Sequence, residues 1–208
     1  MKQKEGKKQA AVFLDRDGTI NEEVGYLDQP EKLRMIPGAA RAIQLINESG
    51  MKALVVTNQS GVARGFFDEA MVQAIHARMQ EILRRDGAWI DRFYYCPHHP
   101  THGQGRYLQD CPCRKPAPGM LLKAAEDLNL SLEDSYIVGD TMNDIEAGAR
   151  AGVRGVLVQT GYGGDFAARL AHSGFGAAGD TLCRPMHVAG TIEDAVRWIF
   201  DDSSGAKR

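Results

Sequence analysis

Two carboxylates, Asp15 and Asp17, flank one arginine in the run Phe13-Leu-Asp-Arg-Asp-Gly-Thr-Ile20, directly after an apolar stretch. A carboxylate can serve as a nucleophile because it stays ionised near neutral pH. A second one beside it can exchange a proton with a leaving oxygen. Gly18 permits a tight turn past the strand end, so the two need not point to opposite faces. A solvated Asp-Gly turn would look the same in isolation. The reading therefore depends on what else the chain offers.

Three further groups bear on it. Thr57 ends the apolar run at 51–57 and opens Thr57-Asn58-Gln59-Ser60, where a hydroxyl and the following amides can donate to phosphate oxygens. Arg114 and Lys115 stand together before Pro116. Lys115 can neutralise charge that builds on a transferring phosphoryl group, and Arg114 offers a fork for a phosphate or a vicinal diol. Asp140 closes the apolar run Ile137-Val-Gly, and Asp144 follows one helical turn later on the same side. Hard carboxylate oxygens suit Mg²⁺, and Asp15 and Asp140 would supply them. Each group alone has a plainer explanation as a strand end, a pair of surface cations or a helix N-cap.

A second chemistry lies between residues 96 and 113. Cys96-x-His98 and Cys111-x-Cys113 make a set of three thiolates and one imidazole, a common structural zinc composition. His99 and His102 compete with His98, and spacing does not decide among them. Four protein ligands leave no open position, so Zn²⁺ here would be mechanical. It would fix the Pro-rich loop 97–115 and aim Arg114 and Lys115 at the substrate. Cys183 stands far off and reads as an ordinary small residue.

The elements that must position these groups follow from the apolar pattern. Strands are expected at 10–14, 51–57, 92–96, 136–138 and 155–158. Helices are expected at 38–49 with Gly50 as the stop, 68–85 with Asp68 as N-cap, 118–128, 143–151 and 191–200. The Gly- and Ala-rich stretch 161–179 is hard to assign, with a helix expected at 166–172. Strands alternating with helices imply an α/β, Rossmann-like fold: a parallel sheet with helices on both faces. Ligands in such sheets bind beyond the carboxyl ends of the strands. Asp15, Thr57 and Asp140 each follow a strand, so one edge of the sheet would collect them. Residues 21–37 form only a loop, which leaves no separate cap domain. One domain spans 10–200, with the cysteine loop at 96–113 as a zinc-bound insertion and with tails at 1–9 and 201–208.

Composition narrows the partners. The 208 residues carry a formal charge of −2 and only 7% aromatics, which speaks against a nucleic-acid groove. No apolar run approaches the roughly 20 residues that span a bilayer. The lysine-rich start has no apolar core of an export signal, so a cytoplasmic location with reduced thiols is expected. Nothing in the sequence forces a dimer, and a monomer is expected.

Taken together, Asp15-x-Asp17-Gly18-Thr19, Thr57, Lys115 and Gly139-Asp140-x-x-x-Asp144 resemble the haloacid dehalogenase superfamily of phosphohydrolases across residues 10–158. The resemblance implies that Asp15 attacks phosphorus and forms an aspartyl-phosphate. It implies that Asp17 protonates the departing alkoxide, then activates water, and offers its backbone carbonyl to Mg²⁺. Thr57 and Lys115 would hold the phosphoryl oxygens, Asp140 would ligate Mg²⁺, and Asp144 would orient that site. With Gly25-Tyr26, the run from Thr57 to Gly65, the run from Tyr94 to Pro100 and the run from Cys113 to Met120, the chain looks like the zinc-containing branch of heptose-bisphosphate and histidinol phosphatases. That branch implies a small-molecule sugar bisphosphate as substrate. It also implies binding segments at Glu23, Val24, Gly25 and Tyr26, at Thr57, Asn58, Gln59 and Ser60, and at Arg114 and Lys115, with Arg114 facing the distal phosphate. Two departures stand out. Thr141 replaces a lysine found in some of these enzymes, and residues 161–186 have no counterpart. A phosphosugar-binding module without catalysis is a reading of another class, but it would not need both Asp15 and Asp17.

Overall fold

Among the described residues, six short segments pair in parallel into one sheet, and their residues explain why. The segments are β1 (Ala11–Leu14), β2 (Lys52–Asn58), β3 (Arg92–Cys96), β4 (Tyr136–Gly139), β5 (Arg154–Val158) and β6 (His187–Ala189), in the order β3-β2-β1-β4-β5-β6. A parallel sheet is covered on both faces, so its inner strands read as continuous apolar runs. β1 and β4 are buried at every position. The computed structural model describes residues 8–172 and 184–205.

Among the described residues, six helices cover the sheet: α1 (Ala39–Ser49), α2 (Glu69–Arg85), α3 (Gly119–Leu128), α4 (Met142–Ala151), α5 (Gly163–His172) and α6 (Ile192–Gly205). Successive strand side chains point to opposite faces. Val12, Leu14 and Val55 accordingly pack with Ile43 of α1, Ile75 of α2 and Val196 of α6. Phe13, Leu54 and Val56 pack with Leu121 and Ala124 of α3 and Ala147 of α4 on the other side. Asp68 caps α2 by accepting from the Met71 amide at 2.9 Å, and Gly50 ends α1 at a φ of +81°. No described helix is long and apolar enough to cross a membrane.

The structure differs from the sequence expectations at four places. β6 has a single buried residue, Ala189, so it lacked an apolar run to betray it. α5 starts at Gly163 rather than 166. The expected tail at 201–208 is helical through Gly205, because Asp202 accepts from the Tyr136 hydroxyl at 2.6 Å and from Arg154 at 2.7 Å. The expected tail at 1–9 is tied down at its end, where the Gln9 carbonyl accepts from the Ser131 amide at 2.9 Å. Residues 1–7, 206–208 and Cys183 lie outside the described residues.

The loop 21–37 holds a 3-10 turn at Pro30–Lys32 and no inserted domain. Leu27, Leu33 and Ile36 anchor it in the core. The chain winds outward from β1 to β3, then returns beside β1 as β4. The crevice at this switch point is where a doubly wound sheet binds its ligand.

Candidate active site

Three strand ends meet at that crevice. β1 delivers Asp15, whose amide donates to the Val138 carbonyl of β4 at 2.9 Å. β2 delivers Thr57, and Asp140 follows β4 directly. Lys115 enters from the cysteine loop and is only 3% exposed. Its ammonium contacts the Val56 carbonyl at 2.7 Å, Asp15 Oδ1 at 2.9 Å and Asp144 Oδ1 at 2.5 Å. Asn58 fixes the Lys115 backbone from both sides. Its amide nitrogen donates to the Lys115 carbonyl at 3.0 Å, and its oxygen accepts from the Lys115 amide at 3.1 Å.

Asp144 belongs to the fold as much as to the site. Thr141 and Asp144 form a capping box that opens α4. The second Asp144 oxygen accepts from the Thr141 amide and hydroxyl, at 3.1 and 2.7 Å. Asp15, Asp140 and Asp144 each bring a carboxylate oxygen within 4.8 Å of the others. With Asp144 taken up by Lys115 and Thr141, Asp15 and Asp140 are the pair left to hold a cation. Burial, opposed by Lys115 and reinforced by Asp144 and Asp140, pushes the Asp15 carboxyl up to about 8. Burial also pushes Asp140 up to about 7, against the Tyr162 amide that donates to it. One lysine does not offset three clustered carboxylates, and a divalent cation with oxygen ligands fits that excess charge.

Asp17 has a different surrounding. Arg16 donates to it from two nitrogens, at 2.8 and 3.2 Å, with Asn21 at 2.9 Å and Gln59 at 2.8 Å. Burial works against its charge, yet the Arg16 guanidinium and these hydrogen bonds hold its carboxyl below the usual range. Gln59 also donates to the Thr57 hydroxyl at 2.9 Å, which links the second carboxylate to β2. The turn after β1 passes so close to Asp140 that a Cβ on Gly18 would lie 2.2 Å from its Oδ2.

A cleft of about 360 Å³ opens over these groups. Asp15, Asp17, Glu23, Gly25, Tyr26, Thr57, Asn58, Gln59, Ser60, Arg114, Lys115 and Asp140 all line it. Val24, 53% exposed, is not among the residues that line it. Sequence reasoning missed Arg16, Asn143 and Tyr162, which also line the cleft. Arg16 read as the spacer of the motif, and Tyr162 lay in the unassigned Gly-rich stretch.

The structure gathers Cys96, His98, Cys111 and Cys113, with one ligand atom of each within 4.8 Å of the rest. His98 Nδ1 lies 3.7 Å from the Cys96 sulfur and 3.6 Å from that of Cys113. His99 turns its Nδ1 back on its own loop, accepting from the amides of Thr101 and His102 at 3.1 and 3.0 Å. Arg114 donates to the His98 carbonyl at 3.2 Å, so the first cation after the cluster is tied to it. Glu69 of α2 accepts from the hydroxyls of Tyr95 at 2.8 Å and Tyr107 at 2.7 Å.

Comparison with known proteins agrees with this geometry. A family model described as haloacid dehalogenase-like hydrolase matches residues 2–152, and one described as HAD-hydrolase-like matches residues 112–195. A protein of Pasteurella multocida named D-glycero-beta-D-manno-heptose-1,7-bisphosphate 7-phosphatase is 45% identical over 152 residues, covering 73% of this chain and 82% of the relative. A Thermosynechococcus vestitus protein named D-glycero-D-manno-heptose-1,7-bisphosphate 7-phosphatase is 40% identical over 193 residues, covering 91% and 94%. Among solved structures, the D,D-heptose 1,7-bisphosphate phosphatase of B. bronchiseptica complexed with magnesium and phosphate superposes with a TM-score of 0.79. It is 31% identical and covers 93% of this chain and 99% of that one. The chain belongs to the haloacid dehalogenase-like hydrolases.

Proposed function

We propose that this protein removes the 7-phosphate of D-glycero-D-manno-heptose 1,7-bisphosphate, in bacterial heptose nucleotide synthesis for lipopolysaccharide or other glycans. The observation that carries the chemistry is Asp15 held against buried Lys115 at the switch point, with Asp140 at the neighbouring strand end. The names of the relatives carry the choice of sugar.

In this reading an Asp15 oxygen forms a bond to phosphorus as the bond to the sugar oxygen breaks, and the leaving oxygen takes a proton from Asp17. Water then gives a proton to Asp17 and attacks phosphorus, which releases phosphate and restores Asp15. Arg16 favours ionised Asp17, the form suited to water activation. The charge of an incoming phosphate raises a neighbouring carboxyl and so favours the protonated form needed first. Lys115 and Thr57 hold the phosphoryl oxygens. Asp15, the Asp17 carbonyl and Asp140 would hold Mg²⁺, which when bound offsets the repulsion between carboxylate and phosphate. The magnesium in the B. bronchiseptica structure supports that assignment. Arg114 would take the distal phosphate, with Glu23, Gly25, Tyr26, Asn58, Gln59 and Ser60 around the sugar. Cys96, His98, Cys111 and Cys113 would hold Zn²⁺ as a structural ion, and their soft donor set supports it. The same reading makes the protein a cytoplasmic monomer that acts on a small molecule.

The test is phosphate release with Mg²⁺ from both anomers of the heptose bisphosphate, beside histidinol phosphate and fructose 1,6-bisphosphate. One heptose anomer should lead the other two compounds by about tenfold or more in kcat/KM. Equal rates on all four, or a preference for histidinol phosphate, would overturn the choice of substrate.

A further inference from the structure

The mouth of the cleft carries an aromatic ring that the phosphoryl chemistry does not use. Tyr162 lines the cleft while 51% exposed. Its placement is nevertheless determined. Its amide donates to Asp140 Oδ2 at 2.9 Å, and the Gly163 amide donates to the Thr160 carbonyl at 2.9 Å, which closes the turn between β5 and α5. Thr160 also donates from its hydroxyl to the Gly18 carbonyl at 2.6 Å. The turn carrying Tyr162 is therefore hooked onto both the Asp140 carboxylate and the turn after Asp15. Gly161 allows the approach, since a Cβ there would lie 2.1 Å from Asp140 Oδ2.

Both signs of charge line the cleft. Its cations are Arg16, Arg114 and Lys115. Arg16 and Lys115 are committed to Asp17, Asp15 and Asp144, and Arg114 is tied to the cysteine loop. Near Tyr162 the electrostatic neighbours are Glu23, Asp140 and Tyr26. Tyr26 is itself 42% exposed at the mouth. A phosphate would be repelled by Glu23, whereas a neutral polyhydroxylated carbon chain would not. Such a chain presents C–H groups that pack on an aromatic face and hydroxyls that a carboxylate accepts.

We propose that Tyr162 is a specificity-determining residue whose ring covers the carbon chain of the sugar between its two phosphates. This rests on the sugar-phosphatase reading and adds to it a residue outside the motifs. The ring contacts substrate in the ground state and the transition state alike, so its loss should appear in KM rather than kcat. Covering about 55 Å² of ring at ~25 cal/mol per Å² corresponds to about a tenfold change in affinity.

Tyr162→Ala should raise KM for the sugar bisphosphate about tenfold and leave kcat within about twofold. Tyr162→Phe keeps the ring and should match the wild type within about twofold. Acetyl phosphate carries only a two-carbon acyl group in place of the sugar chain, so its kcat/KM should be the same in Tyr162→Ala and wild type within about twofold. An unchanged KM in Tyr162→Ala, an equal loss in Tyr162→Phe, or an equal loss on acetyl phosphate would each overturn the assignment. The comparison is made on the sugar phosphate that the wild type prefers. A wrong sugar then shows in the wild-type substrate panel, and a wrong role for Tyr162 shows in the variants.

Discussion

Lys115 places one ammonium against two carboxylates and a carbonyl, and its three donors meet three acceptors. Asp144 is fully buried behind it. Replacing Lys115 by methionine keeps much of the volume but leaves Asp15 and Asp144 without their counter-charge. Removing one partner of a buried ion pair costs about 3–5 kcal/mol, because the remaining charge is buried alone. Lys115→Met should therefore lower the denaturant midpoint by that equivalent and reduce kcat by at least about a hundredfold. A variant with wild-type stability and lost activity would show that Lys115 acts on substrate alone. The sequence pointed Lys115 at a phosphate only through the resemblance to the haloacid dehalogenase superfamily, since by position alone it read as a surface cation. It did not show the pairing with Asp144, which exists only because that loop and α4 meet in space. Arg16 was less legible still. A charged residue between two aspartates reads as solvated, and a buried arginine is rare unless paired. Here the partner is its own neighbour, Asp17.

Two of the fastenings of the loop 97–115 differ in what they hold. One is the cluster of Cys96, His98, Cys111 and Cys113, and the other is Glu69 with Tyr95 and Tyr107. The first is tied to Arg114, through the His98 carbonyl. Cys111→Ala should therefore reduce bound zinc, measured by elemental analysis. It should lower kcat/KM for the sugar bisphosphate by about tenfold or more, as losing the support of a site does. Full activity in zinc-free protein would refute the mechanical role of the cluster. At this scale the elements with long apolar runs or clear caps were readable, as α1 and α2 show. β6 was not, because an edge strand of three residues with one buried side chain carries no period. The last turns of α6 were missed because Asp201 to Gly205 is a polar run, held by contacts from β4 and β5 rather than by local propensity.

The fold as a whole also carries a buried titratable group that does not line the cleft. His76 is 6% exposed, stacks on Phe93 at 4.5 Å between ring centroids, and leaves Nε2 without a hydrogen-bond partner. Burial, with help from the Arg16 charge, pushes its pKa from 6.5 down to about 3. The folded protein thus keeps His76 neutral where the unfolded chain protonates it. Its contribution is complete above 6.5 and is lost as pH falls toward about 3. At about pH 5 this amounts to roughly 2 kcal/mol. His76→Phe should flatten the acid side of the stability curve by that amount, read from urea midpoints across the pH range. Parallel slopes for wild type and variant would refute it. The parallel sheet that buries His76 has a consequence for how the protein is made. β1, the strand that ends at Asp15, pairs with β4 through Val12 and Tyr136, more than a hundred residues apart. At a ribosomal rate of about 5–20 residues per second, β1 waits roughly 5 to 25 s for that neighbour to emerge. During that interval an apolar strand edge ending in Asp15 stays unpaired on one side, so the nascent chain is most open to wrong pairing where the finished sheet is most tightly built.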